Sequence, residues 1–359
     1  MKKLSLLILI VLGIFLVGCQ KETIKIGYIG PLTGDVAAVG QGHQKVLQLA
    51  IEELNSQGEN VEIIFEDGNC DGKRAVTAIH KLINIDGVKY IIGGQCSSET
   101  LSTAPIAETN KVLMISPLSS NPAITNSGDY IFRVYPSDNY QGKFTANYIK
   151  NELGLNDVAV LSCLDDWCKG LKEVFTSEFE TLGGTVVESQ EFERGTSDLK
   201  TQLTKIKKAN PEIIFMAAYT ESTITAFKQS KELGINTPFF GGDSWAETTI
   251  WERTEGFNEG KRYVVPYFTE AKQFNQKYHA KYGADANIVL ASLQTYDSLM
   301  ILLDAIKENG DDSTKVKDYL YDLDYNGLSG KISFDNNGDL VLAKYSVMQM
   351  QNGKLTTIN

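Results

Sequence analysis

Along most of the chain, short unbroken apolar runs alternate with longer stretches whose apolar positions recur every three or four residues. Thr23–Ile29 reads as a buried strand, and Gln44 to Ser56, with Val46, Leu47, Leu49, Ala50, Ile51 and Leu54, as an amphipathic helix. Between them the Gly/Pro-rich stretch Gly30–Gly42 reads as a loop. The alternation continues with strand Val61–Glu66, helix Lys73–Asn84, strand Lys89–Ile92, helix Glu99–Thr109 and strand Val112–Ile115. A second series starts near residue 139. It runs through helix Tyr140–Glu152, strand Val158–Leu161, helix Lys169–Leu182, strand Thr185–Glu191, helix Leu199–Lys208, strand Glu212–Ala217 and helix Ser222–Leu233. Strands separated by helices imply parallel sheets joined by right-handed crossovers, and two series imply an α/β protein of two doubly wound lobes. Ligands of such sheets bind beyond the carboxyl ends of the strands.

Two later helices, near Glu270–Tyr282 and Ile288–Glu308, read as returns to the first lobe. Lys331–Phe334 and Val341–Met348 read as a terminal hairpin turned by Asp335-Asn336-Asn337-Gly338-Asp339. The glycine of that turn is at the fourth position, not the sixth that a calcium loop needs, so the turn is read as solvated and no metal is expected.

The N-terminus breaks the alternation. Lys2-Lys3 precedes an almost wholly apolar run from Leu4 to Val17, and Leu16-Val17-Gly18-Cys19 comes next: a secretory signal over residues 1–18. Small residues before a cysteine resemble the lipobox of bacterial lipoproteins, which makes Cys19 the expected lipidation site and the protein exported and membrane-tethered, on the periplasmic or extracellular face. No later segment has the ~18 consecutive apolar residues of a spanning helix.

Export changes the meaning of the other four cysteines, since that compartment permits disulfides. Of three connectivities, Cys163 with Cys168 closes a small loop, leaving Cys70 with Cys96. The 359 residues carry 34 Lys+Arg against 45 Asp+Glu, a formal charge of −11, which argues against nucleic acid as a partner. Three histidines, His43, His80 and His279, are too scattered for a histidine-rich metal site. There is no GxxxxGK[ST] and no GxSxG. Gly40-Gln41-Gly42 has Lys45 in place of a third dinucleotide-fold glycine, and Gly242-Asp243-Ser244 lacks a histidine partner. Neither an enzyme nor a bound cofactor is expected.

Polar residues gather at strand ends instead. Gly94-Gln95-Cys96-Ser97-Ser98-Glu99 ends one strand and opens a helix, whose free N–H groups suit a carboxylate. Ser116-Pro117-Leu118-Ser119-Ser120 ends the next. In the second series Ala218-Tyr219-Thr220-Glu221 and Gly242-Asp243-Ser244-Trp245 put an aromatic ring and a carboxylate where a cation is held. A zwitterion bridging two lobes is the simple reading.

Over essentially all the mature length the chain resembles the leucine/isoleucine/valine-type (type I) periplasmic substrate-binding proteins of ABC transporters. The resemblance is carried by Ile26-Gly27-Tyr28-Ile29-Gly30-Pro31-Leu32-Thr33-Gly34, Gly93-Gly94-Gln95-Cys96-Ser97-Ser98-Glu99-Thr100, Ile115-Ser116-Pro117, Phe132-Arg133-Val134, Tyr219 and Tyr296-Asp297. It implies a Cys70–Cys96 disulfide and a hinge of three crossovers near 136–140, 264–268 and 323–327. The lobes would then be 23–137 plus 267–325 and 138–266 plus 326–359. It also implies that Ser97 and Ser120, with Ser119 beside them, bind an α-carboxylate, and that the Leu118 carbonyl and Asp243 bind an α-ammonium. Trp167 and Tyr219 would cover the ligand, with Val39 on the side-chain pocket where the family often has an aromatic residue. The expected protein is a monomeric receptor delivering an amino acid, branched-chain or otherwise apolar, to a membrane permease. The alternatives are a small amide or urea-type ligand, or a sensor not coupled to transport.

Overall fold

A computed structural model describes residues 23–267, 271–341 and 344–358. The leader over 1–18 and Cys19 lie outside the described residues. The first half of the chain runs β1 (Ile24–Gly30), α1 (Ala37–Ser56), β2 (Val61–Asp67), α2 (Gly72–Asn84), β3 (Tyr90–Gly93), α3 (Ser97–Asn110), β4 (Leu113–Ser116) and β5 (Ile131–Arg133). These strands form one parallel sheet in the order β2-β1-β3-β4-β5. The chain continues through α4 (Asp138–Asn147), β6 (Asp157–Cys163), α5 (Asp166–Thr181), β7 (Thr185–Phe192), α6 (Lys200–Ala209), β8 (Ile213–Ala217), α7 (Thr220–Glu232), β9 (Phe239–Gly241), α8 (Thr248–Arg253) and β10 (Arg262–Pro266). Then come α9 (Lys272–Tyr282), α10 (Ser292–Asn309), α11 (Ser313–Tyr321), β11 (Tyr325–Gly327), β12 (Gly330–Ile332), β13 (Tyr345–Gln351) and β14 (Lys354–Thr357). The second sheet has the order β14-β13-β10-β9-β8-β6-β7, parallel from β10 to β7 and antiparallel at β13 and β14. Two α/β lobes with mainly parallel sheets are therefore present. Among the described residues no helix is long and apolar enough to cross a membrane.

Each sheet has its own core. Phe175, Phe179, Phe215, Phe227 and Trp245 pack the second, while Ile26, Tyr28, Ile92, Leu113 and Phe132 pack the first together with Leu299, Leu302, Val316 and Leu320 from the returning helices. In α2 the buried set Ala75, Ala78, Ile79 and Leu82 recurs at three- and four-residue intervals, the single apolar stripe that fixes which face meets the sheet. Both expected disulfides are formed, Cys70–Cys96 and Cys163–Cys168. In the chain-entropy account the longer loop contributes about 3–4 kcal/mol and the shorter about 2 kcal/mol.

Three expectations need correcting. Helix α1 begins at Ala37, not near Gln44, because Gly40 and Gly42 belong to it. A Cβ on Gly40 would stand 2.1 Å from the Pro31 carbonyl oxygen and one on Gly42 2.5 Å from Val289, so these glycines mark close packing, not a loop. The chain does reverse at 335–339, where Phe334 and Leu340 form an antiparallel bridge and the Val341 N–H donates to the Ser333 carbonyl. The terminal hairpin, however, is β13–β14, turned at Asn352-Gly353, and Gly330–Ile332 forms β12, which pairs with β11. The 335–339 turn is not simply solvated: Asp339 is buried and accepts from the Arg133 guanidinium, Nε to Oδ1 at 2.6 Å. Ile332, Phe334 and Leu340 lie in the first core. The third crossover therefore comes after residue 340, not at 323–327, and residues 326–340 pack with the first lobe. Strand β10 of the second sheet ends at Pro266, Phe274 on α9 packs with Val46 of the first lobe, and α4 begins at Asp138.

Candidate functional site

The loops at the carboxyl ends of the two sheets face each other across a cavity of about 160 Å³. That is the scale of a cavity holding one benzene-sized molecule (~150 Å³). From the first lobe it is lined by Val36 and Val39 on α1 and its approach, Ser97 at the start of α3, and Leu118 and Ser120 after β4. The second lobe contributes Trp167, Tyr219 and Asp243. Seven of the eight expected ligand-contact residues thus meet at one place. The exception is Ser119, whose hydroxyl lies off the cavity wall, within 2.9 Å of the Gly94 carbonyl and 2.7 Å of the Thr100 hydroxyl.

The first-lobe wall is built for an anion. Ser97 opens α3, and its hydroxyl accepts from the Asn121 N–H at 3.2 Å, leaving the hydroxyl proton for a ligand. First-turn N–H groups of a helix have no carbonyl partner and sit at the positive end of the dipole. Glu99 holds the approach in place: its carboxyl accepts from the N–H groups of Cys70, Gln95 and Cys96, and burial raises its pKa to about 7. The Ser120 hydroxyl donates to Asp138 at 2.9 Å. Gln95 also lines the cavity, and its buried amide lies beside Tyr28 and His43.

The second-lobe wall is acidic and aromatic. Asp165 caps α5 by accepting from the Trp167 N–H, which starts the helix three residues earlier than its sequence pattern shows and sets Trp167 in the first turn. Tyr219 donates to Asp165 at 2.9 Å, and the Trp167 and Tyr219 rings meet with centroids 5.0 Å apart. Asp243 is 3% exposed, accepts from the Tyr135 hydroxyl at 2.7 Å, and donates its own N–H to Gln141. Burial pushes its pKa up to about 6 and, with the Asp243 charge nearby, pushes Asp138 up as well. No Lys or Arg lines the cavity among the described residues.

Tyr135, Asp138, Glu247 and Arg194 belong to this region and were not singled out by sequence. Ser137-Asp138 carries only a helix-start signal, which it also obeys. Glu247 stands four residues after Asp243 on the same turn, a spacing that could have flagged it. Arg194 sits in an unpatterned loop and has no signal at all. From that loop it reaches the first lobe, donating to the carbonyls of Cys70 at 2.7 Å and Asn69 at 3.2 Å and pairing with Asp35 at 3.4 Å, with Asp165 of its own lobe at 3.3 Å. The bonds to Cys70, Asn69 and Asp35 exist only while the lobes touch. Arg194→Ala is expected to speed ligand dissociation about tenfold, since hydrogen bonds to a charged group are worth ~1.5–3 kcal/mol, with little change in association. Stopped-flow tryptophan fluorescence, which Trp167 makes sensitive to occupancy, reads both rates; an unchanged off-rate would remove Arg194 from closure.

Comparisons with known proteins agree with this geometry. The family described as periplasmic binding protein matches residues 23–354. A leucine-, isoleucine-, valine-, threonine- and alanine-binding protein of Pseudomonas aeruginosa is 28% identical over 338 residues, covering 91% of this chain and 90% of that protein. The Leu/Ile/Val-binding protein of Escherichia coli K12 is 26% identical, covering 93% of each chain. Among solved structures, a leucine-binding protein of Thermotoga maritima superposes with a TM-score of 0.85 at 30% identity, covering 94% of this chain and 98% of that one. A branched-chain amino-acid transporter substrate-binding protein of Streptococcus pneumoniae in complex with isoleucine gives 0.83 at 26%, covering 94% and 99%. The fold, the placement of the cavity between the lobes and the family match over residues 23–354 converge on one conclusion: this chain belongs to the periplasmic binding protein family, a family of solute-binding receptors, with the type I fold.

Proposed function

We propose that the protein is the extracytoplasmic receptor of an ABC transporter and closes its two lobes on a single small α-amino acid with a partly or wholly aliphatic side chain. The α-carboxylate is held by the Ser97 hydroxyl at the start of α3, with Ser120 beside it after β4, placed there by the bond from its hydroxyl to Asp138. The α-ammonium lies between the Leu118 carbonyl and Asp243, Trp167 and Tyr219 cover the ligand, and Val39 faces its side chain. One observation carries this reading: a helix N-terminus and a buried carboxylate that has no basic partner among the described residues face each other across a cavity of one small molecule. A zwitterion of opposite polarity satisfies both ends, and only the closed state brings them together. Delivery to a membrane permease is supported by the naming of the isoleucine-bound neighbour as a transporter's binding protein.

A thermal-shift series of the purified protein against the common L-amino acids and small amides tests it. A ligand at 100 times its Kd adds about 2.7 kcal/mol of stability, which raises the melting temperature by several degrees. An α-amino acid is expected among the strongest hits. A response to amides or urea alone would replace the zwitterion with a neutral ligand.

In the same proposal the chain is exported by its leader and anchored through lipid on Cys19. Several acyl chains give stable attachment at ~0.8 kcal/mol per buried CH₂. Cys19→Ala is expected to move the protein from the membrane to the soluble fraction, read by cell fractionation; full retention with the membrane would refute the anchor.

A further inference from the structure

The acids around the cavity differ in how they are satisfied. Asp35 and Asp165 pair with Arg194, and Glu221 pairs with Arg253. Asp243 faces the α-ammonium in the proposed binding mode. Glu247 remains. It lines the cavity, and among the described residues its carboxyl has no basic partner: Oε1 accepts from the Leu290 N–H at 3.2 Å, and burial raises its pKa. Leu290 is itself fixed, since its carbonyl accepts from Nε2 of His43, a wholly buried ring. The carboxylate is therefore held against the first-lobe wall by one oxygen, and among the described residues no hydrogen bond reaches the other.

Glu247 does not stand alone on an apolar surface. Thr220 and Thr249, also of the second lobe, line the same cavity, while Val36, Val39 and Leu290 line it from the first. One side of the space beyond the α-carbon is aliphatic and the other carries hydroxyls and a carboxylate. Glu247 comes four residues after Asp243 through the short helical turn Asp243–Ala246, about 8 Å of chain at 3₁₀ rise, so the two carboxylates address different parts of one small molecule.

We infer that Glu247 sets the specificity of the site, selecting an α-amino acid whose side chain carries an O–H or N–H donor over one that is wholly aliphatic. This rests on the proposed amino-acid ligand and refines it: carbon packs on Val36, Val39 and Leu290, and the donor meets Glu247. An aliphatic side chain would bury the carboxylate with its second oxygen unsatisfied, and sites built to hydrogen-bond a substrate reject analogues lacking the group far more strongly than apolar pockets reject a missing methylene.

Isothermal titration with near-isosteric pairs tests this on the intact protein. L-Threonine and L-valine differ by a hydroxyl for a methyl, and L-asparagine and L-leucine by a carboxamide for an isopropyl group; L-ornithine adds a charged donor. The donor-bearing member of at least one pair, or ornithine, is expected to bind tenfold or more tighter than the aliphatic members, and Glu247→Ala to bring that ratio to about threefold or less. Because Glu247 also joins the lobes through Leu290, the variant weakens every ligand; the ratio separates selection from closure, and Glu247→Gln, which keeps an acceptor but no charge, gives an intermediate ratio. Valine or leucine binding as well as or better than all the donors overturns the role of Glu247 and leaves the amino-acid reading standing, as does a Glu247→Ala variant that lowers affinities but keeps the ratio. No heat with any of the five, nor with the other common amino acids, overturns both.

Discussion

Asp243→Asn is expected to weaken amino-acid binding by about 30-fold or more while the ligand-free protein remains folded. The side chain is nearly isosteric, so the shape of the site persists and only the charge is lost. Truncating one member of a buried, hydrogen-bonded charge pair costs roughly 2–5 kcal/mol, much of it from the cation left without a counter-charge. The surroundings make the loss hard to repair. No basic side chain lines the cavity among the described residues, and Asp138, which feels the Asp243 charge, is pushed towards its neutral form by burial and by Asp243 itself. The pH dependence gives an independent check. Asp243 holds its proton more tightly in the folded state, with a pKa of about 6, than in the unfolded chain, where it is about 3.9. Its ionisation therefore lowers the stability of the free protein as pH rises from about 4 to 6. Over the same interval ligand affinity rises, because the ammonium needs the carboxylate. Titration calorimetry and urea melts of the parent should show these opposite trends, and both should flatten in the variant. Binding within about threefold of the parent would assign Asp243 to the start of its short helical turn and reopen the case for an uncharged ligand.

The parts of this structure legible in the sequence are those governed by local periodicity. Strands β1, β3, β4, β6 and β8 are largely buried runs bounded by turn residues, while β2 and β7, at the sheet edges, are only partly buried but keep the same apolar, turn-bounded pattern. The polar strand ends were legible for the same reason, since Ser97, Ser120, Tyr219 and Asp243 come just after such runs and a doubly wound sheet gathers the loops that leave its strands at one edge. The rest depends on contacts distant in sequence. Gly40 and Gly42 have loop-like propensity, yet they are helical because Pro31 and Val289 approach too closely for a side chain. Arg194 and Glu247 are ordinary surface residues until the second lobe is laid against Cys70 and Leu290, respectively 124 and 43 positions away. The last crossover was misplaced because Asp335–Asp339 is polar in composition, and polarity alone does not distinguish a solvated turn from one whose final acid is an ion-pair partner.

That ion pair yields the largest expected effect on stability. Arg133 on β5 has no exposed surface. Its guanidinium donates to both carboxylate oxygens of Asp339, at 2.6 and 2.7 Å, to the Asn121 carbonyl at 2.9 Å and to the Thr125 hydroxyl at 2.8 Å. A planar fork with these partners is something only arginine supplies. Arg133→Met fills a similar volume but leaves Asp339 and the Asn121 carbonyl without their donor, and breaking a buried pair from one side costs about 3–5 kcal/mol. Urea unfolding should show a midpoint lowered by that amount divided by the slope, with the slope unchanged. The double variant Arg133→Met/Asp339→Leu removes both charges, and because a buried pair can be exchanged for apolar residues at little net loss, it is expected to recover much of the stability. Binding separates the two consequences of the pair. Asn121 takes the Ser97 hydroxyl as acceptor for its N–H and reaches across to the Asp166 carbonyl with its amide, so the loop that carries Leu118 and Ser120 is held partly by Arg133. The double variant should therefore regain most of the lost unfolding midpoint while still binding ligand more weakly than the parent, because leucine at 339 restores packing but methionine at 133 offers the Asn121 carbonyl no donor. A double variant restored in both respects would confine Arg133 to the fold and leave the 118–121 loop positioned by Ser97 and the second lobe alone.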